Sequence, residues 1–63
     1  MITEKERNVL ERIAQGKTNR EISDDLKISL STAEQYIRIL MGKIPSENRA
    51  QLVYEALKRG LIQ

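Results

Sequence analysis

The stretch from Ile22 to Arg38 constrains the fold most, because two short helical patterns follow one another across a tight turn. Six apolar residues, five in this stretch and one just after it, recur at the three- and four-residue spacing of helices that bury one face in a common core. They are Ile22, Leu26, Ile28, Ala33, Ile37 and Leu40. Lys27, Ile28 and Ser29 lie between the two patterns and are predicted to form the turn, with Ile28 buried beneath it.

The second of these helices carries polar side chains on the side that faces away from the predicted core. Ser31, Glu34, Gln35 and Arg38 share that side, because residues three and four apart lie on one face of a helix. A rigid helix that is supported by a partner helix and turns polar side chains outward is suited to reading base edges in the major groove of DNA. The pattern therefore predicts a helix-turn-helix.

Start and stop signals divide the whole chain into helices, and no segment alternates as a strand would. Three pairs have the form of a capping box: Thr3 with Glu6, Thr18 with Glu21, and Asn48 with Gln51. Ser29 is a simpler cap. Predicted stops are Gly16, the turn at Lys27, Gly42 with Pro45, and Gly60. The sequence thus predicts an all-α fold with helices at about residues 4–15, 19–26, 30–42 and 49–59.

Apolar residues mark the predicted core of the other helices. The first helix has them at helical spacing, at Val9, Leu10, Ile13 and Ala14. In the third helix the predicted core stripe is Ala33, Tyr36, Ile37, Leu40, Met41 and Ile44. The fourth helix is apolar over more than one face, at Leu52, Val53, Tyr54, Ala56 and Leu57, which predicts surface left over after its own core is packed.

Length and charge limit the class of protein. At 63 residues the chain is predicted to be one domain, residues 1–63, with a core so small that a second copy or a larger parent protein would add useful burial. Eleven Lys and Arg against nine Asp and Glu give a net charge of +2. This mild basic balance permits nucleic-acid binding without indicating it strongly.

Composition also excludes several kinds of chemistry. The chain has no Cys and no His, so we expect no disulfide and no metal centre. No cofactor and no small-molecule ligand are expected either. An enzyme is not expected, since acidic and basic residues are interleaved on exposed helical faces. No segment is apolar enough for a signal peptide or a membrane span, so the expected location is the cytoplasm.

The ordered set of motifs resembles the LuxR/GerE-type helix-turn-helix domain over essentially the whole chain. The matching segments are Ile2–Arg7, Ile13–Gly16, Asn19–Ser23, Ile28–Ser29, Ser31–Ala33, Asn48–Arg49 and Ala56–Ile62. The resemblance implies a four-helix, bacterial, sequence-specific DNA-binding domain, in which the third helix is the recognition helix and the fourth commonly pairs two copies. Most members carry this domain at the C-terminus of a larger regulator. A chain that starts at Met1 without a sensor domain is expected to be a stand-alone, GerE-like form or an excised piece.

Several residues depart from the family pattern. The family usually has a lysine at the position of Glu34, where a carboxylate repels the DNA backbone but can accept a hydrogen bond from cytosine. Ile39 and Gly42 stand where the family often has Asn and Arg, and Ile44-Pro45 replaces a Leu-Gly pair. Glu34 is therefore open to three interpretations: a reader of cytosine, a solvated charge, or the mark of a domain that has lost DNA binding.

Two sets of DNA contacts are predicted on this basis. Ser31, Glu34, Gln35 and Arg38 are the expected base contacts, with adenine for Gln35 and guanine or a phosphate for Arg38. The expected phosphate contacts cluster at the start of the second helix and near the end of the third. They are Lys17, Thr18, Asn19, Arg20, Thr32, Lys43, Asn48 and Arg49. Several alternatives remain. Gln35 and Arg38 could be ordinary solvated residues, and the start of the second helix could be a cap with a surface charge pair. Thr32 could bond its own backbone, and Arg49 could pair with a core-edge carboxylate such as Glu6.

The function expected from these features is a transcriptional regulator that binds an inverted-repeat operator as a homodimer. The predicted dimer interface is on the fourth helix, at Ala50, Val53, Tyr54 and Leu57, although these residues could also pack on the first helix. The expected partner is double-stranded DNA. The alternative is a protein-interaction module that pairs with a larger LuxR-type regulator and inhibits it.

Overall fold

The first helix begins where the sequence predicts, because Thr3 and Glu6 form a complete capping box. The Thr3 hydroxyl accepts a hydrogen bond from the Glu6 amide, and the Glu6 carboxylate accepts one from the Thr3 amide. In the computed structural model, which describes all 63 residues, this helix is α1 (Glu4–Ala14). Gly16 follows it in the left-handed conformation, at φ +83°, which is the predicted glycine stop.

Three further helices follow, and there is no strand. They are α2 (Asn19–Leu26), α3 (Leu30–Lys43) and α4 (Arg49–Lys58). Thr18 and Glu21 form the second capping box, Ser29 caps α3, and Asn48 accepts a hydrogen bond from the Gln51 amide at the start of α4. Gln51 does not complete a third box, because its side-chain oxygen accepts from the Glu47 amide instead.

Two predictions about helix ends and faces were wrong. Gly42 does not end α3, since the helix passes through it to Lys43, and the break comes at Ile44, which is extended (φ −116°, ψ 91°) ahead of Pro45. Ala14 is exposed, although it was predicted to lie in the core. All four helix starts and the end of α2 are as predicted, and the ends of α1 and α4 come one residue earlier than predicted.

All four helices contribute to one apolar core of eleven buried side chains. The members are Val9, Leu10, Ile13, Ile22, Ala33, Ile37, Leu40, Ile44, Leu52, Ala56 and Ile62. Leu26, Ile28, Tyr36 and Met41, which were predicted to be core residues, are half-buried at its edge. The chain end returns to α1, where the Arg7 guanidinium donates to the Leu61 carbonyl at 2.7 Å.

Packing of this kind fixes which side of α3 remains free. One stripe of α3, made by Ala33, Ile37 and Leu40, packs against α1 and α2, and Ile44 continues it just after the helix ends. The opposite side of the helix therefore faces away from the protein.

Candidate nucleic-acid interface

The turn between α2 and α3 holds the two helices in a helix-turn-helix. Lys27 ends α2 in the left-handed conformation (φ 56°, ψ 45°), and the Ile28 amide donates to the Ser23 carbonyl at 3.0 Å. A left-handed residue after a helix reverses the chain sharply while it satisfies the last carbonyl groups. This geometry brings Ser29 directly into position to cap α3.

The outward face of α3 carries the four predicted base contacts. Ser31, Glu34, Gln35 and Arg38 are all exposed. The Ser31 hydroxyl lies 3.3 Å from that of Ser29, whereas Glu34, Gln35 and Arg38 form no hydrogen bond or ion pair through their side chains. These three side chains are therefore free to bind a ligand without first breaking a contact within the protein.

Hydroxyl groups occupy the first turn of α3. The Ser29 hydroxyl accepts from the Thr32 amide at 3.1 Å and donates to the Thr32 hydroxyl at 2.8 Å. Thr32 is half-buried, and its amide is already used by the cap. Thr32 thus takes part in the start of the helix, and its phosphate contact stays a prediction.

At the start of α2, the predicted phosphate contacts differ in how free they are. Arg20 is exposed and has no side-chain partner, while the Thr18 hydroxyl caps α2. The Lys17 ammonium lies 2.6 Å from the Asp25 carboxylate, and this hydrogen bond lowers the pKa of Asp25 from its usual value. Arg20 therefore carries the more available positive charge of the two.

Arg49 connects the start of α4 with the start of α2. Its guanidinium donates to the Lys17 carbonyl at 2.8 Å and to the Asn19 side-chain oxygen. The predicted alternative, a pair between Arg49 and Glu6, is wrong because Glu6 lies with a different cation. Phosphate contact stays a prediction for Asn19, Asn48 and Arg49, since each already makes a contact within the chain.

The cation beside Glu6 is Lys43, the last residue of α3. The Lys43 ammonium lies 2.9 Å from the Glu6 carboxylate and 3.3 Å from the Met1 carbonyl. Glu6 is only 5% exposed. Hydrogen bonds from the Thr3 amide and from Lys43 outweigh burial and lower the pKa of Glu6. Sequence analysis missed this pair, which joins residues 37 positions apart.

The predicted dimer residues lie on the solvent side of α4. Tyr54 is 63% exposed and Leu57 49% exposed, so this helix leaves two large apolar side chains in contact with solvent. Ala50 is exposed and Val53 half-buried, whereas Leu52 and Ala56 turn into the core. The excess apolar surface that was predicted on this helix is therefore present.

Two further observations bear on other classes of protein. No group of three or more Asp or Glu side chains is arranged so that it could hold a metal ion. None of the four helices combines the length and the apolar character that crossing a membrane requires.

Comparison with known proteins places the chain in a family. The family of bacterial regulatory proteins described as luxR (GerE) matches residues 1–56. The spore germination protein GerE of Bacillus subtilis is 36% identical over 63 residues, which is 100% of this chain and 85% of that protein. The response regulator Rre1 of Synechocystis is 38% identical over 61 residues, and the transcriptional regulatory protein DesR of Bacillus subtilis 32% over 59.

The coverage of these relatives is unequal. This chain spans 30% of DesR and 26% of Rre1, so both contain much more than the matched region. The match to the family extends over all of α1, α2 and α3 and most of α4. The chain therefore belongs to the luxR family of bacterial regulatory proteins, a family of DNA-binding transcription regulators and not of enzymes.

Proposed function

We propose that the chain recognises an inverted-repeat operator as a homodimer, with α3 of each copy in the major groove. The observation that carries this proposal is the free outward face of α3. Glu34, Gln35 and Arg38 are exposed and have no partner in the protein. Side chains of these types have defined hydrogen-bonding partners on base edges: cytosine for Glu, adenine for Gln and guanine for Arg.

Phosphate contacts would supply affinity and fix the register of α3. Arg20 is the most available cation for this role, and the start of α2 presents amide groups beside it. Lys17 and Lys43 are held by Asp25 and Glu6, so each would need to exchange its carboxylate for a phosphate. Arg49 is hydrogen-bonded only to uncharged groups, the Asn19 side chain and the Lys17 carbonyl, so its charge is not paired with a carboxylate. Phosphate binding is therefore expected to depend chiefly on Arg20 and Arg49.

Exposed apolar residues on α4 support the homodimer. Tyr54 and Leu57 would be buried by a second copy, which would add to a core of only eleven residues. Two-fold dimers place their recognition helices in successive major grooves, about 34 Å apart. The operator would then contain two half-sites in inverted order with that spacing. Because this DNA lies in the cytoplasm of a bacterium, the protein is proposed to act there.

Selection of bound duplexes from a random-sequence pool tests the proposal directly. The expected result is an enriched inverted repeat with half-sites separated by about one helical turn. Recovery of a random population, or of single unpaired half-sites, would contradict it. Matched titrations of the enriched and the scrambled duplex would then give the specificity ratio.

The salt dependence of that binding reports how many phosphates are neutralised. If Lys17, Arg20, Lys43 and Arg49 of both copies all contacted phosphates, log K would fall with log salt at a slope of about −7. If Lys17 and Lys43 keep their carboxylate partners, the slope would be about −4. We expect the smaller value, because the two ion pairs are short.

The same surface of α4 supports the alternative, in which the chain pairs with a larger LuxR-type regulator. In that case Tyr54 and Leu57 would contact a different protein. A pull-down of a full-length family member, next to a gel shift with random DNA at low salt, separates the two functions. Capture of the regulator without any DNA binding would favour the alternative.

A further inference from the structure

Ile39 is an apolar side chain on the face of α3 that otherwise carries polar groups. It is 39% exposed, although the chain buries most of its other isoleucines. It follows Gln35 by four residues, so the two side chains are neighbours on the helix surface. Thr32, Gln35, Tyr36 and Ile39 line a surface groove of about 190 Å³ along this side of the helix.

Only one base offers an apolar group in the major groove. The 5-methyl group of thymine projects there, and apolar side chains contact it, whereas the other exposed positions of the base edges are mostly hydrogen-bond donors and acceptors. We infer that Ile39 is a specificity-determining residue, which selects thymine by contact with its 5-methyl group. The inference rests on the proposed function, since it requires α3 to enter the groove.

Helix geometry limits which base pair this could be. Four residues advance an α-helix by about 6 Å, and successive nucleotides of one strand are about 3.4 Å apart. The thymine is therefore expected one or two base pairs from the base that Gln35 contacts, on either strand. One such position should occur in each half-site.

Leu30 provides a matched control within the same helix. It is 37% exposed, close to the value for Ile39, but it lies four residues before Glu34, at the opposite edge of the polar face of α3 from Ile39. An apolar residue of similar exposure therefore differs from Ile39 in its position around and along the helix, and it would face a different base pair. A general loss of apolar surface would affect both variants alike.

The probe for this test is the duplex enriched from the random pool, with each thymine replaced in turn by deoxyuridine. Deoxyuridine lacks only the 5-methyl group, so the protein can remain wild type. At one position per half-site, this replacement is expected to lower the affinity of the protein for the duplex about fourfold, which is the effect of one buried methyl group. For Ile39→Ala, the thymine and deoxyuridine duplexes are expected to bind equally well. For Ile39→Val most of the fourfold difference should remain, and for Leu30→Ala the difference should be unchanged.

Two results would overturn the inference while leaving the proposed function intact. In the first, no thymine of the enriched duplex shows an effect that depends on residue 39. In the second, Ile39→Ala weakens binding equally to the thymine and the deoxyuridine duplex, which would mean that Ile39 packs on deoxyribose. If selection enriches no sequence, the proposed function fails and this inference fails with it.

Discussion

Glu34 places a negative charge on the face of α3 that is proposed to lie against DNA. It is exposed and forms no ion pair with a cation of the protein, so its charge is available to repel phosphates. We predict that Glu34→Lys raises the affinity for random duplex at low salt by about 1–2 kcal/mol per copy, since one repulsion becomes an attraction. Fluorescence anisotropy with a labelled random duplex measures it.

The control for this substitution makes the same change of charge elsewhere. Glu11 is exposed on α1, and Glu11→Lys alters the net charge of the protein identically. A local effect requires the increase to be much larger for position 34 than for position 11. Equal affinities of Glu34→Lys and the wild type for random DNA would show that residue 34 does not approach phosphates.

Arg38 is predicted to discriminate between bases. A bidentate contact to guanine is worth about 1–3 kcal/mol, so Arg38→Ala should weaken binding to the enriched duplex by that amount and relax the preference at one position. Titration of duplexes carrying each of the four base pairs there gives the result. Arg59→Ala, which removes a cation already near Glu55 on α4, is the control. Unchanged affinity for the enriched duplex would remove Arg38 from the interface.

Individual residues also show how far the sequence predicts the candidate site. The exposure of Ser31, Glu34, Gln35 and Arg38 follows from helical periodicity alone, because the apolar stripe of α3 fixes the opposite face. Helical periodicity does not predict that Lys43 pairs with Glu6, since Glu6 belongs to another helix and only tertiary packing brings the two together. Predictions of phosphate contact based on charge alone could not distinguish a free arginine from a paired lysine.

The sequence predicts the starts of the helices more accurately than their ends. Thr3, Thr18, Ser29 and Asn48 cap the four helices as predicted, because a capping side chain bonds an amide only three residues away. The end of α3 was predicted one residue early, since a glycine ends a helix only where the chain turns left-handed. Gly42 keeps helical geometry, and Pro45 acts instead through Ile44.

The end of α3 is tied to α1 through Lys43 and Glu6, and this pair should stabilise the fold. We predict that Lys43→Met lowers the free energy of unfolding by about 1–2 kcal/mol, because it leaves the buried carboxylate without its cation. The half-exposed position of Lys43 reduces the loss below that of a fully buried pair. Urea denaturation measures the free energy of unfolding. Lys58→Met, at the exposed end of α4, is the control.

The pH dependence of stability tests the same pair independently. The pKa of Glu6 is lower in the folded protein than its usual value of 4.5, so its contribution to stability is present above that pH and is lost as the pH falls below it. The wild type should therefore lose stability more steeply than Glu6→Gln between about pH 5 and pH 3. Asp25 titrates in both proteins and cancels in the comparison. Parallel curves for the two proteins would contradict a stabilising role of ionised Glu6.

At the scale of the whole molecule, the proposed DNA-binding surface and the proposed dimer interface lie on different helices. The proposed DNA-binding face lies on α3 and the start of α2, whereas the exposed apolar residues lie on α4. Arg49 joins these regions, because it begins α4 and donates to the backbone and to Asn19 at the start of α2. A second copy bound on α4 would therefore hold α2 and α3 of both copies in a fixed relation.

This separation makes the role of the dimer testable without disturbing α3. We predict that Leu57→Asp yields a folded monomer, because Leu57 is half-exposed in the single chain and a carboxylate there opposes burial by a second copy. Its affinity for a full inverted repeat should fall by about 10²-fold or more, towards that for a single half-site, since linked binding is lost. Sedimentation equilibrium and titrations of full and half operators measure both effects. The control is Leu30→Gln, which changes an exposed leucine away from α4 and should remain dimeric. A Leu57→Asp protein that still forms dimers would exclude α4 as the interface.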